Sequence, residues 1–219
     1  EFIPNFTNFL QNVDESTSII VVVNALNEDR ILKTVEAIGH TFNKEMTMME
    51  KKNVQYNVLV FEKPIGYAKA CNEGYKFLKK QEGGLTDYVF FANDDIMFLD
   101  NKWQKNLSSA IESEFYHSPT FKIENQINHA YKEEEYGLKT GMSSCVSDKA
   151  SGANLIQEYI TAKTAESHSG VQVKRMMDAL NPYPVHVVRT AGILTCMKKE
   201  LCLDVEIECG IFDEDTFKI

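Results

Sequence analysis

Long apolar stretches, clustered basic residues and paired-cysteine motifs are all missing from this chain. No apolar run approaches the roughly 20 residues a membrane-spanning helix needs, so no transmembrane segment is expected. The run Ile19–Val23 has strand length and lies too near acidic residues to be the apolar part of a signal peptide. Basic runs such as Lys51-Lys52 and Lys79-Lys80 are no longer than pairs, and 32 acidic residues outnumber 23 basic ones for a net charge of −9. That balance argues against a nucleic-acid partner, which relies on clustered Lys and Arg. The five cysteines (Cys71, Cys145, Cys196, Cys202 and Cys209) are odd in number and form no C-x-x-C pair. A disulfide framework or structural zinc site is therefore not expected, and free thiols in a reducing, cytoplasmic setting are. The five histidines form no H-x-x-H or H-E-x-x-H. Glu1 stands first without an initiator Met, as in a fragment or a processed chain.

What is present suffices for a sizeable core: 43% hydrophobic residues over 219 positions, with 13 Phe and 9 Tyr. Residues 1–17 are polar with scattered Phe2, Phe6 and Phe9, and read as an N-terminal arm with one short helix. Ser18–Val23 is β-branched without polar alternation, the pattern of a parallel strand covered on both faces. Asn24 to Asp29 follows as a loop, in which Asn27 is a candidate helix cap. Ile31, Val35, Ile38 and Phe42 recur at helical spacing. Tyr56–Phe61 reads as a second strand, Ala68–Lys80 as a helix closed by Gly83-Gly84, and Tyr88–Ala92 as a third strand. Trp103–Phe115 is expected to be an amphipathic helix, with further strands at Tyr183–Val188 and Ala191–Met197. Strand and helix alternating at this rhythm predicts an α/β fold with a mainly parallel central sheet flanked by helices.

Asp94 and Asp95 stand where the third strand ends. Two adjacent carboxylates at a buried strand exit would be costly without a cation, and a hard divalent ion carrying a diphosphate is a natural partner. Asn93-Asp94-Asp95 is also good turn chemistry, so the residues alone leave both readings open. In parallel α/β sheets ligands collect beyond the carboxyl ends of strands, where Asn24–Asn27 and Asp94–Asp95 both fall.

Four segments, in this order, resemble the GT-A fold nucleotide-sugar glycosyltransferases, especially the inverting family 2 group. They are Val22-Val-Asn-Ala-Leu-Asn-Glu28; Gly66-Tyr-Ala-Lys-Ala-Cys-Asn-Glu-Gly74; Phe90-Phe-Ala-Asn-Asp-Asp95; and Ala191-Gly-Ile-Leu-Thr195 with Lys198-Lys199 and Gly210-Ile-Phe-Asp-Glu214. The resemblance covers most of the chain from Ser18 onward and implies a single GT-A-like (Rossmann-like) domain over 18–219. Residues 18–100 would bind the nucleotide-sugar, and 101–219 would form the acceptor side. Asp95 would hold Mn²⁺ or Mg²⁺, and Asp94 would lie beside the donor ribose or diphosphate. Asn24, Ala25 and Asn27 would line the base pocket, with Lys69 and Asn72 shaping the donor site. Asp213, Glu214 and Asp215 are the candidates for the general base. The implied reaction moves a sugar, with inversion, from a UDP- or other nucleoside diphosphate-sugar to a hydroxyl of a glycan, lipid-linked or protein acceptor. The implied location is the cytoplasm, including its membrane surfaces. Two alternatives remain: a nucleotidyltransferase, or a nucleotide-sugar-binding domain without turnover.

Overall fold

A computed structural model describes residues 2–14, 16–24, 28–50, 53–112, 142–144, 194–206 and 210–212. The elements in order are α1 (Phe2–Asn12), β1 (Ser18–Asn24), α2 (Glu28–Met48), β2 (Gln55–Phe61), α3 (Tyr67–Lys80), β3 (Tyr88–Ala92), α4 (Trp103–Glu112), β4 (Met142–Ser144), β5 (Leu194–Lys198) and α5 (Lys199–Val205). The strand expected at Tyr183–Val188 lies outside the described residues, as do 113–115 at the end of the α4 segment.

β1 and β2 pair in parallel, in register from Ser18 against Gln55 to Asn24 against Phe61. Side chains alternate across a strand, and β1 uses both faces. Ile19 and Val23 join a core with Phe6, Leu10, Ile31, Ile38 and Phe42 of α1 and α2. Ile20 and Val22 face α3, where a Cβ built on Gly74 would lie 3.5 Å from Val22. Full burial of Leu10 and Ile38 stabilises this layer by about 1.5–3 kcal/mol each.

The second sheet corrects the expectation of a mainly parallel one. β5 lies between β3 and β4 and runs antiparallel to both, with Tyr88 opposite Lys198 and Ala92 opposite Leu194. The described strands thus form a mixed α/β fold, with a parallel pair and an antiparallel triplet. The physical reason is that an apolar run records burial on two faces and not strand direction. Leu194 to Met197 of β5 are all buried because the strand is central, and β3 is apolar because helices cover both its sides. Val89 and Phe91 pack with Tyr75, Leu85, Met197 and Cys202, whereas Tyr88 and Phe90 pack towards Trp103, Leu107 and Ile111. No helix among the described residues is long and apolar enough to cross a membrane.

Candidate functional site at the exit of β3

β3 ends at Ala92, and the chain turns at Asp94-Asp95. Both aspartates are exposed. The desolvation argument for a cation at buried carboxylates therefore does not apply, because the apolar cover stops at the end of the strand. Among the described residues neither carboxylate takes part in a side-chain hydrogen bond or ion pair. The buried polar atom here is the neighbouring Asn93 Oδ1, which accepts no hydrogen bond among the described residues. A buried acceptor left without a partner costs about 1–3 kcal/mol.

The backbone carrying these groups is held by α1. Asn5, Asn8 and Asn12 lie at i, i+3 and i+7, on one helix face. Asn5 Nδ2 donates to Asp94 O at 3.2 Å. Asn8 Oδ1 accepts from Phe98 N at 2.6 Å, while its Nδ2 donates to Phe98 O at 3.1 Å. Trp103 Nε1 donates to Asn12 O at 2.9 Å. Phe9, Phe98 and Trp103 pack together, the last two with ring centroids 4.5 Å apart. The sequence reading did not assign these asparagines a role. Their spacing opposite Phe6 and Leu10 was the available signal.

The exits of β1 and β3 are linked through the start of α3. Asn24 Oδ1 accepts from Ile65 N at 2.8 Å, tying the end of β1 to the segment that enters α3. Gly66, at φ 75°, precedes the helix in the left-handed region that glycine tolerates, and no side chain caps the helix there. Phe212 meets Tyr67 at the start of α3 (centroids 6.1 Å) and Phe91 near the end of β3 (5.0 Å), both edge to face. Asn72 is fully buried and bonds to the backbone of Ile211 and Phe212. Lys69 is exposed on the same helix. Burial pushes the Cys71 thiol up to about 11, partly offset by its hydrogen bond with Tyr67, and this raised value disfavours the reactive thiolate.

Asn24, Asn72 and the Asp94-Asp95 turn are thus joined into one framework, although the Asn24 and Asn72 side chains are engaged by protein backbone. Ala25, Asn27, Asp213, Glu214 and Asp215 lie outside the described residues. Among the described residues no group of three His, Cys, Asp or Glu side chains could hold a metal ion. Asp94 and Asp95 offer the oxygen donors that hard cations take, two carboxylates where a protein-built cluster would need three.

A surface pocket of about 330 Å³ lies at the opposite, entry end of β3, lined by Asp87, Tyr88, Glu112, Lys198 and Glu200. Three of its groups meet at one carboxylate: Tyr88 OH donates to Glu112 at 2.6 Å, and Lys198 Nζ lies 3.0 Å from it. These two partners, the phenol first, hold the Glu112 carboxyl below its usual range. No family model, curated protein or solved structure matches the chain.

Proposed function

We propose that this chain is a metal-dependent glycosyltransferase of the GT-A kind, using a nucleoside diphosphate-sugar as donor. The observation that carries the reading is the meeting of its motif segments. Asn24 is bonded to Ile65 beside Gly66, Asn72 to Phe212, and Phe212 packs on Phe91, two residues before Asn93. Segments far apart in the chain are joined at the end of β1, the start of α3 and the end of β3. In this reading β1 and β2 supply the parallel, nucleotide-side part of a GT-A-like sheet.

Asp95 would hold Mn²⁺ or Mg²⁺, with Asp94 next to the donor ribose or diphosphate. The ion, when bound, supplies Lewis-acid neutralisation of the departing diphosphate. The start of α3, without a capping side chain, offers backbone N–H groups suited to a phosphate. A carboxylate among Asp213, Glu214 and Asp215 would take the proton of the acceptor hydroxyl. A nucleotidyltransferase fits less well, because Asn24 to Arg30 contains no glycine to wrap a triphosphate. A binding domain without turnover would keep the nucleotide and metal site but transfer nothing.

A thermal-shift screen of UDP, GDP, CDP and TDP, each with and without Mn²⁺, tests this reading. At a hundredfold excess over Kd, binding adds about 2.7 kcal/mol, a rise of about 5–10 °C for a domain of this size. We expect such a rise for one nucleotide, dependent on Mn²⁺ and lost in Asp95→Ala. No rise with any nucleotide and metal would end the transferase reading.

A further inference from the structure

β3 stops pairing with β5 at Ala92, opposite Leu194, so the loop that carries Asp94 and Asp95 must satisfy its backbone without a neighbouring strand. Side chains of α1 meet part of that need. The Asn8 amide accepts from Phe98 N at 2.6 Å and donates to Phe98 O at 3.1 Å. Bonding both backbone groups of one residue is what a paired residue on an antiparallel strand does. Asn5, one turn earlier on the helix, donates to Asp94 O at 3.2 Å. The stretch 94–98 is thus gripped at both ends, with Asp95 between. The grip comes from a helix some 90 positions earlier in the chain. That helix is itself anchored: Phe6 and Leu10 are buried in the core with β1 and α2, and Phe9 packs both on that core and on the cluster of Phe98 and Trp103. The Asp94 and Asp95 carboxylates are exposed, so their direction follows the backbone that carries them.

We propose that Asn8 is a positioning residue for the cation: it holds the backbone at Phe98 so that the 94–98 loop keeps one course and offers Asp95 to Mn²⁺, with Asn5 assisting at Asp94. This rests on the transferase reading above, in which Asp95 holds the ion. Asn8 acts through the loop and not on the ion, since its amide is turned to Phe98. A loop already ordered loses less conformational freedom when the ion binds.

The test compares wild type with Asn8→Ala and Asn5→Ala, and with Gln104→Ala as a control for lost stability. Gln104 also makes two hydrogen bonds, to Asp14 N at 2.6 Å and to Thr17 Oγ1 at 3.1 Å, and neither reaches the 94–98 loop. Three readouts are taken: melting temperature; amide hydrogen exchange at Phe98; and capture of Mn²⁺ in the presence of each of UDP, GDP, CDP and TDP, followed by the free-ion paramagnetic resonance signal. We expect Asn8→Ala to raise exchange at Phe98 about tenfold or more and to weaken Mn²⁺ capture about tenfold, with a smaller loss in Asn5→Ala. Gln104→Ala should lower the melting temperature and capture Mn²⁺ as wild type does. Unchanged capture in Asn8→Ala would overturn the positioning role, as would an equal loss in Gln104→Ala. Should Asn8→Ala not fold, Asn5→Ala decides: weakened capture supports the role and wild-type capture overturns it. If wild type captures no Mn²⁺ with any of the four nucleotides, the transferase reading falls and takes the positioning role with it.

Discussion

At the entry end of β3, Tyr88 OH and Lys198 Nζ both reach the Glu112 carboxylate; at the exit end, the Asp94 and Asp95 carboxylates have no side-chain partner among the described residues. The two ends share a strand and differ in how their polar groups are satisfied. At the entry a cation and a phenol both bond to Glu112, while Asp87 and Glu200 beside it are exposed. The exit turn has exposed carboxylates and a buried Asn93 oxygen without a partner among the described residues, set on a backbone that Asn5 and Asn8 hold in place. Unused acceptors on a fixed backbone are what a preorganised cation site requires. The contrast is therefore between a neutralised carboxylate, Glu112, beside the pocket at the entry and the adjacent exposed carboxylates of Asp94 and Asp95 at the exit.

The comparison can be broken most directly at α1. Asn8→Ala removes both bonds to the Phe98 backbone and leaves a part-buried N–H and C=O without that partner. We expect a loss of about 1–3 kcal/mol in urea unfolding, with amide exchange increased around residues 94–98. A change spread evenly over β3 would show that Asn8 stabilises the whole layer and does not hold this loop in particular.

A smaller effect is expected at the entry end. The Tyr88 phenol is pushed up to about 12, chiefly by its hydrogen bond to Glu112. Because the folded-state value lies above the ordinary value of 10, the stabilisation is full below pH 10 and is lost as pH rises from 10 to about 12. Tyr88→Phe should flatten this part of the stability curve and leave nucleotide binding intact. An unflattened curve would assign the alkaline loss to other groups. The half-buried thiol of Cys71 and the buried thiol of Cys202, pushed up to about 11 by burial, contribute in the same direction.

Much of the local structure was legible because local chemistry writes it. The β-branched run of β1, the helical spacing from Ile31 to Phe42 and the glycines at 66, 83 and 84 mark elements that lie within a few residues of their predicted bounds. What failed to show was partnership over distance. The apolar residues of β3 say that both faces are covered, but not that β5 pairs antiparallel beside it. The acidic pair was expected to need relief from burial, yet Ala92 already ends the covered strand and both carboxylates reach solvent. Asn72 stood out in a motif, but its bonds to Ile211 and Phe212 depend on a fold that brings α3 against the end of the chain's described part. α5 (Lys199–Val205) also escaped the reading, although Lys-Glu-Leu-Cys-Leu contains good helix formers.

The central claim is that the ion and the nucleotide meet at the exit of β3. Electron paramagnetic resonance of Mn²⁺, titrated with protein in the presence of the nucleotide selected by the thermal-shift screen, measures it directly through loss of the free-ion signal. The account predicts that wild type and Glu112→Ala capture the ion alike and that Asp95→Ala does not. Equal capture by Asp95→Ala, or loss of capture in Glu112→Ala alone, would contradict it.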